Sequence, residues 1–152
     1  MQHKISQPWS VQRRVLPQHT DHAGLMWHGA YVSWLEESRV LALEAVGLAY
    51  ADLSARGVEM PLVSLAIDYR RPLRHGDRVS LLSWMEPRQG VRLTWRSRFL
   101  RGGEGLAAQA TVILTVVERS GPESPRVMRR WPEDLERALA ALVKGPQPQV
   151  DV

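Results

Sequence analysis

At Pro61 the hydrophobic period of this sequence changes from helical to strand-like, and it stays strand-like as far as Glu118. Before that point Tyr31, Trp34, Leu35, Ser38, Leu41, Ala42 and Ala45 recur at the spacing of one helix face, with Glu36, Glu37 and Glu44 off the stripe. After it Val63, Leu65, Ile67 and Tyr69 alternate with Ser64, Ala66, Asp68 and Arg70, the two sets pointing to opposite sides of a strand. One long helix followed by a run of strands leaves few architectures open.

The turn residues divide the strand region. Pro72 ends the first strand, RHGD at 74–77 leads to VSLLSWME, PRQG at 87–90 leads to VRLTWRSRFL, and RGGEG at 101–105 leads to LAAQATVILTVVE. Small residues in the last strand allow close packing. Upstream, WSVQRRVL at 9–16 reads as a first strand closed by Pro17. Gly47 stops the long helix, and a short helical piece through Ala51, Leu53 and Ser54 stops at Gly57. PEDLERALAAL at 132–142 gives a terminal helix with Pro132 and acids in its first turn, and the tail from 144 to 152 is expected to be disordered. The expected fold is therefore α+β: a five-stranded antiparallel sheet against one long helix, with an added C-terminal helix. A single long helix cannot cover such a sheet, so a second subunit is expected to bury one sheet edge or face.

At 152 residues the chain suits one domain, with a core expected over about 9–120. It has no cysteine, which removes disulfides, thiolate metal sites and cysteine nucleophiles. No stretch approaches the roughly 20 apolar residues of a membrane span, and the N-terminus lacks the apolar run of a secretory signal, so the expected location is cytoplasmic. Twenty Lys and Arg against sixteen Asp and Glu give a net charge of +4, nearly all the cations being arginines. That balance suits a phosphate-bearing small molecule as well as nucleic acid, or simply a basic surface.

The chemistry concentrates in QHTDHAGLMWHG at 18–29. Asp21 lies in a glycine-containing loop just before the helix, where a carboxylate can meet the free N–H groups and partial positive charge of a helix N-terminus. Thioester hydrolysis can use that arrangement: the carboxylate acts as nucleophile or general base, and the N–H groups hold the developing oxyanion. Spacing alone equally describes a turn or capping aspartate.

The run Asp21-His22-Ala23-Gly24-Leu25-Met26-Trp27-His28-Gly29-Ala30-Tyr31, followed by Trp34-Leu35-Glu36-Glu37-Ser38-Arg39, resembles the signature of the 4-hydroxybenzoyl-CoA thioesterase family. There D-x-x-G precedes an aromatic or His position, a Tyr and an E-x-x-R ending. The likeness continues more loosely through Leu65, Asp68, Tyr69 and the Pro72 to Asp77 segment, over roughly residues 10–120, with the terminal helix outside it. It implies a hotdog fold assembled as a homodimer or homotetramer with active sites at subunit interfaces. It also implies a catalytic role for Asp21, a loop geometry set by Gly24, and a carbonyl-polarising backbone N–H at His28. Glu36 stands where related aromatic-acyl thioesterases carry an acid near the acyl group, although off the apolar stripe it could equally face solvent. The substrate implied is an acyl-CoA, with 1,4-dihydroxy-2-naphthoyl-CoA of phylloquinone biosynthesis first and a general short-chain or aromatic acyl-CoA as the alternative.

Trp27, Tyr31 and Trp34 near the helix start could wall a flat acyl group, or be helix core. Arg71, Arg74, Arg88 and Arg92 are candidates for the phosphates of coenzyme A, since guanidinium groups bind phosphate by forked hydrogen bonds. Each could equally be a surface residue. His19, His22 and His28 lack the carboxylate-histidine helix pattern of a metal site, so neither metal nor cofactor is expected beyond the coenzyme A of the substrate. His75 sits in a turn. A non-catalytic acyl-CoA or acyl-carrier-protein binding module is the competing class, and no zinc-ligand, basic-zipper or RNA-recognition pattern supports nucleic acid.

Overall fold

Along the chain the elements are β1 (Trp9–Arg14), α1 (His28–Ala45), α2 (Tyr50–Ala55), β2 (Val58–Glu59), β3 (Leu62–Tyr69), β4 (Arg78–Met85), β5 (Leu93–Arg101), β6 (Gly105–Leu114), β7 (Val117–Glu118), β8 (Arg126–Val127) and α3 (Glu133–Lys144). The structure is a computed structural model that describes residues 7–119, 121–122 and 124–147. Five strands pair antiparallel in the order β1-β4-β5-β6-β3, and β2, β7 and β8 form a small second sheet. The expected hotdog architecture of a long helix against a five-stranded antiparallel sheet is present.

The alternation read from the sequence explains how sheet and helix meet. Val79, Leu81, Ser83 and Met85 of β4 and Leu93, Trp95, Ser97 and Phe99 of β5 are buried, whereas Arg96 and Arg98 between them are exposed. From α1 the buried face is Ala30, Tyr31, Trp34, Leu35, Ser38, Ala42 and Leu43. Where Ser38 meets the sheet, three buried hydroxyls satisfy one another, Ser38 to Ser83 at 3.2 Å and Ser83 to Ser97 at 2.7 Å. Helix α3 closes the end of this layer: Leu135, Leu139 and Leu142 join the core, and the Trp9 indole N–H donates to the Leu142 carbonyl at 3.0 Å.

Several boundaries differ from the sequence reading. The helix starts at His28, not Tyr31, because backbone bonds hold the preceding residues extended: Met26 N–H donates to the Leu73 carbonyl at 2.7 Å and Trp27 N–H to His19 at 3.0 Å. The first strand ends at Arg14, after which Val15 N–H turns to Asp77. The last long strand divides, since Thr115 and Val116 leave the main sheet and Val117–Glu118 pairs with β2 and β8. In β3 a register shift between Leu62 and Ser64 breaks the alternation, so that Leu62 and Leu65, not Val63 and Leu65, share a wall. Helix α3 includes Lys144; of the tail expected to be disordered, Gly145–Gln147 are irregular and 148–152 lie outside the described residues.

Strand β3 has no second neighbour among the described residues. Leu62, Val63, Leu65 and Tyr69 are exposed there, Val63 and Tyr69 at 53% each, so that the free edge is apolar. The opposite edge, β1, instead carries Arg13 and Arg14, and Arg13 is paired with Glu37 of α1. No helix of the described residues is long and apolar enough to cross a membrane.

Candidate active site

Residues 19–27 form a small hairpin leading into α1. Thr20 bridges Met26, Asp21 N–H donates to the Leu25 carbonyl at 2.8 Å, and Gly24 N–H donates to Asp21 at 3.0 Å. This is a tight turn followed by a left-handed residue, and Gly24 at φ 78° supplies it; a side chain there would be strained. The hairpin is docked through Leu25, which bridges Arg74, and through Met26 on Leu73. Asp21 is thus held two residue pairs, about 7 Å, along the hairpin from the His19–Trp27 pair at the helix start.

The Asp21 carboxylate divides its work between its oxygens. Oδ1 accepts the Ala23 N–H at 2.9 Å and the Leu25 N–H at 3.1 Å, closing the loop. Oδ2 has no partner among the described residues, and the side chain is exposed. A turn aspartate and a chemically available carboxylate therefore coexist in one residue.

At the helix start, Ala30 N–H donates to Trp27, while the N–H groups of His28 and Gly29 have no acceptor among the described residues. No side chain caps this terminus and no acid occupies the first turn. Gly29 matters here: a Cβ at that position would collide with the Trp27 indole, which lies over it. Trp27 is exposed at 45% and packs edge-on against the His28 ring at 5.2 Å. The terminus thus offers two free donors and their partial positive charge beside a hairpin carboxylate.

The remaining sequence candidates separate. Glu36 lies on a pocket of about 250 Å³ between α1 and the β3–β6 edge, which Val32, Leu35 and Arg39 also line. Tyr31 is core: 2% exposed, its ring meets Tyr69 at 5.1 Å and Phe99 at 5.0 Å edge-on, and burial pushes its phenol up to about 12. Trp34 is buried against His19 at 5.1 Å, and the Nδ1 of His19 accepts the Leu16 N–H at 3.0 Å, so neither His19 nor Trp34 reaches the pocket. His22 and His75 are exposed, and among the described residues no three His, Asp or Glu side chains gather as metal ligands would.

The four arginines fall into two pairs. Arg71 and Arg74 are exposed on the segment that carries the Asp21 hairpin. Arg88 and Arg92 flank the far end of β4 and β5, about 25 Å away along the strands. Arg88 is committed to the C-terminal region, donating to Glu136 at 3.0 Å and to the Arg129 carbonyl at 2.8 Å while stacking over Trp131. Sequence reasoning gave no role to Arg39, quoted only as the end of E-x-x-R, yet it is buried on the pocket wall.

The sequence pattern of the thioesterase-like superfamily matches residues 15–139. The chain belongs to that superfamily. The match runs into α3, farther than the sequence reading expected. Among relatives of this thioesterase, "Putative esterase sll0410" of Synechocystis is 34% identical over 141 residues, covering 91% of this chain and 82% of that one. Acyl-CoA thioester hydrolase YbgC of Escherichia coli O6:H1 is 24% identical over 110 residues, covering 72% and 81%. A crystal structure of Slr0204, a 1,4-dihydroxy-2-naphthoyl-CoA thioesterase from Synechocystis, is similar in fold at TM-score 0.76 and 19% identity, covering 89% of this chain and 97% of that one. The superfamily makes the chain a thioester hydrolase.

Proposed function

We propose that this thioesterase hydrolyses an aromatic acyl-CoA, with 1,4-dihydroxy-2-naphthoyl-CoA the first candidate and its free acid and coenzyme A as products. The observation that carries the reading is the pairing of a hairpin carboxylate, free at one oxygen, with the uncapped N-terminus of α1. The thioester carbonyl oxygen takes the N–H groups of His28 and Gly29, and Asp21 either attacks the carbonyl carbon or takes a proton from the attacking water. The C–S bond breaks and coenzyme A leaves as the thiolate; on the nucleophilic route water then hydrolyses the mixed anhydride to free the acid and Asp21. Arg71 and Arg74, on the same side of the sheet end, hold its phosphates.

The aromatic preference draws on the pocket, the exposed Trp27 ring and Glu36, which can accept a hydrogen bond from a ring hydroxyl. The reading includes a homo-oligomer in which β3 pairs with β3 of a second copy, completing the sheet edge and closing the pocket wall.

Asp21→Asn is the decisive variant, because an amide oxygen still accepts the Ala23 and Leu25 N–H bonds while the charge is lost. The loop survives and turnover on the best thioester falls by about a hundredfold or more. Wild-type turnover in a folded Asp21→Asn protein would remove Asp21 from the chemistry. Comparing kcat/KM for 1,4-dihydroxy-2-naphthoyl-CoA with that for a straight-chain acyl-CoA of similar size tests the acyl assignment separately.

A further inference from the structure

Arg39 is 6% exposed, and its side chain forms no hydrogen bond and no ion pair among the described residues. A guanidinium largely removed from water is normally paired, because its five donors lose most of their solvent partners. It lines the pocket together with Glu36, one turn away on the same helix face. Burial pulls its pKa down, and Glu36 and Tyr50 partly oppose that pull; a guanidinium stays protonated in proteins, so its donors are on offer to the pocket.

The pocket also has the right place and size for part of a substrate. On α1 its lining runs from Val32, one turn beyond His28, through Leu35 and Glu36 to Arg39. From His28 to Arg39 is about 16 Å along the helix axis, the reach of an extended acyl group. Apolar walls from Leu62, Leu65 and Val112 fill the interval. The volume, about 250 Å³, exceeds the roughly 150 Å³ that suffices to hold benzene.

We propose that Arg39 is a specificity-determining residue that donates to an oxygen at the far end of the acyl group, so that the preferred thioesters carry a distal hydroxyl or carboxylate. This rests on the thioesterase reading above and deepens it. A hydroxyl suits the wall better than a carboxylate, since it accepts from Arg39 and donates to Glu36, whereas a carboxylate meets the Glu36 charge. An ester without such an oxygen leaves the Arg39 donors without a hydrogen-bond partner in the pocket, which is the condition under which polar pockets discriminate most.

The test compares size-matched esters, 4-hydroxybenzoyl-CoA with benzoyl-CoA and adipoyl-CoA with hexanoyl-CoA, on wild-type protein and on Arg39→Met and Arg39→Lys. Wild type favours the oxygen-bearing member of at least one pair by about tenfold or more in kcat/KM, and Arg39→Met brings that ratio to within about twofold. Arg39→Lys, which keeps the charge and loses the fork, falls between. Equal wild-type rates on both members of both pairs overturn the inference, whether or not the variants fold, and leave the thioesterase reading standing. Hydrolysis of none of the four overturns that reading instead. An unchanged ratio in Arg39→Met together with a smaller particle by light scattering assigns Arg39 to the subunit interface and also overturns it.

Discussion

A single residue can carry two readings from sequence, and the structure separates them by its surroundings. Tyr31 stands in the motif as a candidate acyl contact, but its ring is enclosed by Tyr69 and Phe99 and its phenol is raised to about 12, with burial the main cause. A phenol raised in the folded state favours folding fully below its unfolded value near 10; above that the unfolded chain loses its proton first, and stability drains away up to about 12. Two pH units correspond to about 2 to 3 kcal/mol, so wild type should lose that much more than Tyr31→Phe between those limits, measured as the difference in urea midpoints. Parallel pH curves for the two proteins would show that the ring is not desolvated as described. The loop position of Asp21 just before the helix was legible because the loop is a contiguous motif. Arg39 was not, because an arginine three residues after a glutamate on a helix reads as a solvated pair until the pocket behind it is seen.

Element boundaries were legible where the period was clean and obscure where tertiary contacts set them. Alternation in β4 and β5 gave their buried faces directly. The hydrophobic period showed α1 only from Tyr31, since Trp27 is not a capping residue and the bonds fixing Met26 and Trp27 come from Leu73 and His19; the start at His28 was legible only through the family signature. The bulge in β3 was invisible for a similar reason: Leu62, Val63 and Leu65 are all apolar, so nothing in the sequence says which of them leaves the row. The joint between α1 and the sheet rests on the hydroxyl chain Ser38–Ser83–Ser97. Ser83→Ala removes the shared partner of two buried hydroxyls and should cost about 1 to 3 kcal/mol, read from chemical denaturation, with little change in KM. A variant as stable as wild type would mean that the outer two serines can pair without it.

For the whole molecule, the sequence already required more sheet to be covered than one helix can cover, and the structure locates the uncovered part at β3. Val63 is exposed on that edge and lies outside the pocket wall, so Val63→Lys tests assembly without altering the pocket lining. Pairing of β3 with a second copy means that this variant sediments as a monomer and loses most of its activity; an unchanged particle mass would place the interface elsewhere. Leu62 and Leu65 belong at once to the free edge and to the pocket wall. An acyl group resting on them therefore touches the surface through which two chains would join. By thermodynamic linkage, whatever factor separates the substrate affinities of joined and separate chains must also multiply the association constant of the chains themselves. Substrate would then act as an adhesive: at high dilution, progress curves begun from protein alone should accelerate with time, and those begun from protein stored with product should not.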